Sequence, residues 1–170
     1  MNLKTFIREI PDFPKPGILF YDITTLLKKA DAFSFAAEKM AEHYAQQKID
    51  YVVGIEARGF IFATVIAYLL GAGFLPIRKQ NKLPARTISV DYDLEYGQDR
   101  LEIHEDSFCA NARILVIDDL LATGGTVVGA ISLLTELHAN IVGLGFLVEL
   151  SFLKAREKLL GQNIYSLVSY

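Results

Sequence analysis

The sequence predicts an α/β fold: a parallel-centred sheet flanked by helices, with a β-hairpin and an irregular N-terminal arm added to it. Three observations carry this. Short apolar runs rich in β-branched residues occur at 51–55, 73–77 and 114–117. Such runs lack polar alternation, so they read as strands buried on both faces, the mark of a parallel sheet covered by helices. Segments with apolar residues at helical spacing follow two of them, and a third precedes the first. Finally, the runs at 51–55 and 114–117 pass into short glycine-containing loops bearing charged or hydroxyl side chains. Open α/β sheets hold their ligands at such carboxyl ends of strands.

The bulk numbers suit one soluble domain. A chain of 170 residues, 52% hydrophobic and 22% charged, can bury a full core. A net charge of −3 argues against coating nucleic acid or lying on a membrane surface, and leaves room for a local basic patch that binds a small anion. Cys109 is the single cysteine, so neither a disulfide framework nor a zinc cluster can form within one chain; it reads as a small packed side chain. Lys4, Arg8 and Glu9 interrupt the start of the chain, so no signal peptide is expected there, and no stretch has the length of a membrane helix. A reducing cytoplasm is the expected location.

Along the chain, residues 2–10 read as a short helix stopped by Pro11. Residues 11–24 contain three prolines and a glycine among Phe, Leu, Ile and Tyr. This is a pre-stiffened apolar segment that could lay a flat wall over a planar ligand or simply cover the core. Residues 32–47 place Phe33, Ala36, Ala37, Met40 and Tyr44 at helical spacing, with His43 towards solvent. After the strand at 51–55, Arg58 in Glu56-Ala57-Arg58-Gly59 offers a charged fork of donors, for an anion or for a neighbouring carboxylate, and an apolar helix runs over 60–70. The strand at 73–77 ends in Arg78-Lys79-Gln80-Asn81-Lys82-Leu83-Pro84, a basic patch that could equally be a solvated run. Residues 87–92 and 100–104 alternate in polarity and form a hairpin with a polar tip at 93–99. His104 reads as a partly exposed strand residue.

The stretch 114–126 is the most informative. An apolar strand ends in Asp118 and Asp119, then comes Ala122-Thr123-Gly124-Gly125-Thr126, then a helix carrying Val127, Ile131 and Leu134. Glycines let backbone N–H groups converge on an anion, with the positive end of a helix behind them. Thr123 and Thr126 add hydroxyl donors, and the two carboxylates can accept hydrogen bonds from the vicinal hydroxyls of a sugar. A phosphate cradle and a diol reader thus lie side by side. The spacing is neither a P-loop nor a dinucleotide fingerprint. Past this helix, which His138 closes, an apolar strand is expected at 141–150, a helix at 154–159 and a last strand at 164–170.

The run Ile117-Asp118-Asp119-Leu120-Leu121-Ala122-Thr123-Gly124-Gly125-Thr126 resembles the phosphoribosyl pyrophosphate (PRPP) motif of the type I phosphoribosyltransferases, in the form found in adenine phosphoribosyltransferases. The segment from Pro11 through Ile23, the Glu56-Ala57-Arg58-Gly59 loop, the 78–84 basic segment and Leu94-Glu95-Tyr96-Gly97 are similar to that family's other motifs, in order. The resemblance implies a single domain over 1–170, with an N-terminal base-binding hood at 1–30 and a hairpin lid at 85–106. It implies transfer to adenine from PRPP, giving AMP and pyrophosphate, in purine salvage. By it, Leu19, Phe20, Tyr21 and Arg58 hold adenine. Ala122, Thr123, Gly124, Gly125 and Thr126 take the 5′-phosphate, and Asp118 and Asp119 the ribose hydroxyls. Glu56, Ala57, Arg58, Arg78, Lys79 and Lys82 form the pyrophosphate site, with a cis peptide near Glu56-Ala57. Glu95 handles the proton on the base, Tyr96 packs over the reacting groups, and Asp118 and Asp119 steady the sugar cation. Mg²⁺ is expected, held mainly by ligand and water, as is a homodimer without nucleic-acid or membrane partners. Two rival readings are a transferase for another base, such as guanine, xanthine or orotate, and a non-catalytic nucleotide sensor on the same fold.

Overall fold

A computed structural model describes residues 1–94 and 97–170, with backbone alone at 93, 94, 97 and 98. In chain order come β1 (Arg8–Ile10), β2 (Phe20–Asp22), α1 (Thr24–Leu27), α2 (Ala30–Tyr44), β3 (Tyr51–Ile55), α3 (Gly59–Leu70) and β4 (Gly73–Lys79). Then follow β5 (Thr87–Leu94), β6 (Gly97–His104), β7 (Arg113–Leu121), α4 (Gly125–Glu136), β8 (Asn140–Glu149) and β9 (Ile164–Ser169). The main sheet has the order β5-β6-β4-β3-β7-β8-β9. Strands β4, β3, β7, β8 and β9 run parallel, and the β5–β6 hairpin joins antiparallel to β4. This is the parallel-centred α/β architecture expected.

The apolar runs explain why both faces are covered. Successive strand residues point to opposite sides. Val52, Leu115 and Ile117 therefore join the core that contains Ala36, Met40, Tyr44, Phe62 and Ile66 of α2 and α3. Val53, Ile114 and Val116 join the opposite core with Ala130, Leu133 and Leu134 of α4. Because β4, β3, β7, β8 and β9 are parallel, the ends of β3, β4 and β7 open on one edge of the sheet.

Several boundaries differ from expectation. Only Leu3–Phe6 is helical at the start, as a 3₁₀ turn, and Arg8–Ile10 pairs antiparallel with Phe20–Asp22. A nine-residue helix is marginal by itself, whereas the ribbon brings Arg8 to Asp22, with Arg8 Nη2 donating to Asp22 Oδ2 at 2.5 Å. The expected helix at 154–159 is likewise 3₁₀, at Ala155–Lys158 after Ser151–Leu153. There Lys154 has φ 53° and Arg156 grips Glu149 through two bonds of 2.7 Å. Cys109 is exposed, not packed; it lies in the turn before β7, where the half-buried Phe108 joins the core in its place. Asp118 and Asp119 stand inside β7, which continues pairing with β8 to Leu121.

Candidate active site

The loop after β3, the ends of β4 and β7, the β5–β6 hairpin and the start of α4 enclose a cavity of about 300 Å³. Glu56, Ala57, Arg58, Lys79, Tyr92, Asp99, Asp118, Asp119, Leu120, Ala122 and Thr126 line it. Its floor is the carboxylate pair. Asp118 Oδ1 accepts the Asp119 N–H at 2.9 Å. Gly59, the first residue of α3, fits beneath it only because it has no side chain: a Cβ there would lie 2.7 Å from Asp118 Oδ1. Arg58 Nε lies 2.9 Å from Asp119 Oδ2. The contact is ionic and off the N–H direction, so this buried oxygen accepts no hydrogen bond. Burial, then the Asp119 charge, holds the Asp118 carboxyl well above the usual carboxylate range. Burial also raises Asp119, with Arg58 pulling the other way.

Beside the pair, Gly124 turns the chain with φ 83° to start α4. Among the described residues no protein acceptor meets the N–H groups of Thr123 to Val127, as at any helix start without a capping side chain. Ala155 Cβ lies 3.3 Å from where a Gly124 Cβ would stand, so the 3₁₀ segment backs this loop.

Across the cavity the Glu56–Ala57 peptide is cis, at the expected place. Glu56 organises the basic loop. Its carboxylate accepts Arg78 Nη2 at 2.9 Å, Arg78 Nε at 3.2 Å and the Lys79 N–H at 2.9 Å, and the Arg78 bonds lower its pKa. Arg78 also donates to the Lys82 carbonyl at 3.0 Å. Its guanidinium is therefore spent on the loop's own shape, and neither Arg78 nor the exposed Lys82 lines the cavity. Lys79 does, with Nζ 2.9 Å from Asp99 Oδ2. Asn81 takes φ 63°, a conformation asparagine tolerates.

The N-terminal arm reaches the site through Phe20, over whose ring the Arg58 guanidinium lies at 5.2 Å. Phe13 meets the same ring edge-on at 5.1 Å, and Leu19 is exposed beside it. Tyr21 goes elsewhere: its side chain is buried in the core, tilted against Tyr170 at 4.3 Å. Glu95 and Tyr96 lie outside the described residues. Of the sequence-assigned residues, Glu56, Ala57, Arg58, Lys79, Asp118, Asp119, Ala122 and Thr126 thus share one cavity. Sequence reading missed Tyr92 and Asp99, which the antiparallel pairing of β5 with β6 sets opposite each other. His43 is exposed and stacked on Tyr165, and His104 is half-buried on β6, both away from the cavity.

A parallel sheet ending in paired acids, beside a glycine-turned loop that opens a helix and a basic segment, defines the phosphoribosyltransferase class, and residues 22–162 match the family described as "Phosphoribosyl transferase domain". Adenine phosphoribosyltransferase from Acidobacterium capsulatum is 56% identical over 168 residues, 99% of this chain and 93% of that protein. The crystal structure of adenine phosphoribosyltransferase from Thermoanaerobacter pseudethanolicus is 49% identical and superposes with a TM-score of 0.96 over 99% of this chain and 98% of that one. The Saccharomyces cerevisiae enzyme, complexed with an imino-altritol bisphosphate and adenine, is 37% identical, with a TM-score of 0.91 over 97% and 96%. The chain belongs to the adenine phosphoribosyltransferase family.

Proposed function

We propose that this chain transfers the phosphoribosyl group of PRPP to adenine, releasing AMP and pyrophosphate, and so serves purine salvage. The observation that carries this is the single cavity in which Asp118, Asp119 and Thr126 face Arg58 and Lys79. The N–H groups of Thr123 to Val127, with the hydroxyls of Thr123 and Thr126, hold the 5′-phosphate against the positive end of α4. Asp118 and Asp119 accept the ribose hydroxyls. When they are ionised, their charge opposes the cation that develops at the anomeric carbon. Arg58 and Lys79 neutralise the leaving pyrophosphate, and Glu56 keeps Arg78 and the loop carrying Lys79 and Lys82 in position.

The base lies between the hood residues Leu19 and Phe20 and the cavity, with Arg58 at the junction; Tyr21 contributes through its backbone and its hold on the core. Glu95 exchanges the proton of the base, at N7 by analogy, and Tyr96 covers the reacting groups as the lid at 85–106 excludes water.

The donor set fits Mg²⁺ held through substrate and water. Among the described residues no group of three or more acidic, histidine or cysteine side chains forms a metal cluster, while the buried Asp119 Oδ2 accepts no hydrogen bond and can hold a hydrated ion's water. When bound, the ion supplies positive charge to the pyrophosphate and hydroxyl oxygens. Among the described residues no helix is long and apolar enough to cross a membrane. A cytoplasmic homodimer without nucleic-acid or membrane partners completes this reading.

The test follows pyrophosphate release by purified protein with Mg²⁺, PRPP and one base at a time. Release is expected with adenine and not with guanine, xanthine or orotate. Glu95→Gln should cut turnover about 10²-fold or more while PRPP still binds. Release with another base would overturn the hood and lid assignments, and binding without release would favour the sensor.

A further inference from the structure

Two polar residues in the cavity wall have no role so far: Tyr92 and Asp99. They are cross-strand partners in the β5–β6 hairpin. Tyr92 is buried against α4, where a Cβ on Gly129 would come within 3.1 Å of its own Cβ. Its hydroxyl donates to Asp99 Oδ2 at 3.3 Å. Asp99 Oδ1 accepts the Arg100 N–H at 2.8 Å. Lys79 Nζ completes the set at 2.9 Å from Oδ2. The Asp99 carboxylate is thus held by donors from β4, β5 and β6, at the wall of the cavity and a quarter exposed to it.

An acid here is unexpected in a site built for anions. Its neighbour Asp91 is explained by an exposed ion pair with Arg100, 2.6 Å between Nε and Oδ1. Asp99 instead engages the one lysine that lines the cavity among the described residues. A carboxylate fixed against this half-exposed ammonium offsets its charge and repels an incoming polyanion, so the lysine engages pyrophosphate fully only by giving up the carboxylate.

We propose that Asp99 is an internal counter-anion for Lys79, exchanged for pyrophosphate when substrate binds and regained when product leaves. It is a positioning residue that acts through Lys79. In the free protein it holds the ammonium extended over the cavity, anchored by Tyr92, and on the product side it competes with pyrophosphate for the same lysine. Asp99 thereby weakens ground-state pyrophosphate binding and speeds release. This rests on the reading that Lys79 takes pyrophosphate, and it sets how strongly that site grips.

The experiment measures binding of inorganic pyrophosphate with Mg²⁺ to the full chain by calorimetry, and its product inhibition in the adenine assay. Asp99→Asn keeps the size, removes the charge and leaves one oxygen to accept a hydrogen bond. It should bind pyrophosphate about two- to five-fold tighter, the scale of a partly exposed charge pair, with product inhibition strengthened by the same factor. Asp99→Ala should shift it in the same direction, and the exposed Asp91→Asn should leave it unchanged. Lys79→Ala should weaken binding, and Asp99→Asn in that background should lose most of its gain. A merely structural role for Asp99 would loosen the site instead. Unchanged or weaker binding in both Asp99 variants, with Lys79→Ala still impaired, overturns the counter-anion and leaves the pyrophosphate assignment standing. Wild-type protein that ignores pyrophosphate, or a Lys79→Ala variant that binds it normally, overturns both.

Discussion

At the scale of single side chains, the acids of β7 oppose stability for the reason that makes them useful. Burial raises the Asp118 pKa, so the unfolded chain gives up this proton at a lower pH than the folded one. Stability therefore falls as pH rises from about 4, the ordinary carboxylate value, towards the raised folded value. Asp118→Asn should remove that slope. Near pH 7 it should raise Tm by roughly 2–4 °C, about 1 kcal/mol in a domain of this size, while, on the proposed reading that Asp118 faces the sugar cation, turnover drops roughly tenfold or more. Thermal melts across pH and steady-state rates check the two halves; a lower Tm would show that the carboxylate stabilises its surroundings. Arg58 answers a choice left open by residue type. It pairs with a carboxylate and lines the cavity, because the acid it pairs with belongs to the site.

At the scale of elements, the ribbon of β1 and β2 is fixed to α1 by one acid. Asp22 accepts the Thr24 N–H at 2.9 Å and two bonds from Arg8. Hydrogen bonds from the Thr24 side chain and from Arg8, with the Thr24 N–H adding to them, hold its pKa down to about 2. The resulting stabilisation, about 2 kcal/mol, is present above about pH 4 and lost as pH falls through the folded value. Asp22→Asn should lose that amount at neutral pH, and its acid unfolding limb should be shallower than the wild type's in urea titrations between pH 5 and pH 2. These elements also show what a sequence can reveal. Strands β3, β7 and β8 were legible as unbroken apolar runs, and helices α2, α3 and α4 through apolar residues at helical spacing, signals that each lie within one element. The ribbon was not, since Arg8 and Asp22 are joined by a contact between segments that each look helical or irregular alone. The 3₁₀ segment at Ala155–Lys158 was not, since its shape follows from Glu149 and the loop it backs. In the site, residues within contiguous motifs could be named, whereas Tyr92 and Asp99 matter through a lysine more than a dozen positions away.

At the scale of the whole molecule, the strand order places β3 between β4 and β7, so three loops distant in sequence share one edge. Nothing in local periodicity states that order; only the run of motifs pointed to it. A ligand spanning the edge ties these loops together and should stabilise the entire fold. AMP at about a hundred times its Kd should add about 2.7 kcal/mol and raise Tm by roughly 5–10 °C, and an Asp118→Asn/Asp119→Asn double variant should lose most of this shift in the same scanning experiment. The last residue bears on the same economy. Tyr170 touches Tyr21 at 4.3 Å, its ring lies under Lys4 Nζ at 4.5 Å, and its carbonyl accepts the Ser151 hydroxyl. Through these contacts Tyr170 braces Tyr21, the neighbour of Phe20 on β2, behind the proposed base-binding wall. Loosening that brace, by Tyr170→Ala, should raise KM for adenine several-fold more than KM for PRPP in steady-state assays: a change of taste produced by a residue outside the cavity lining.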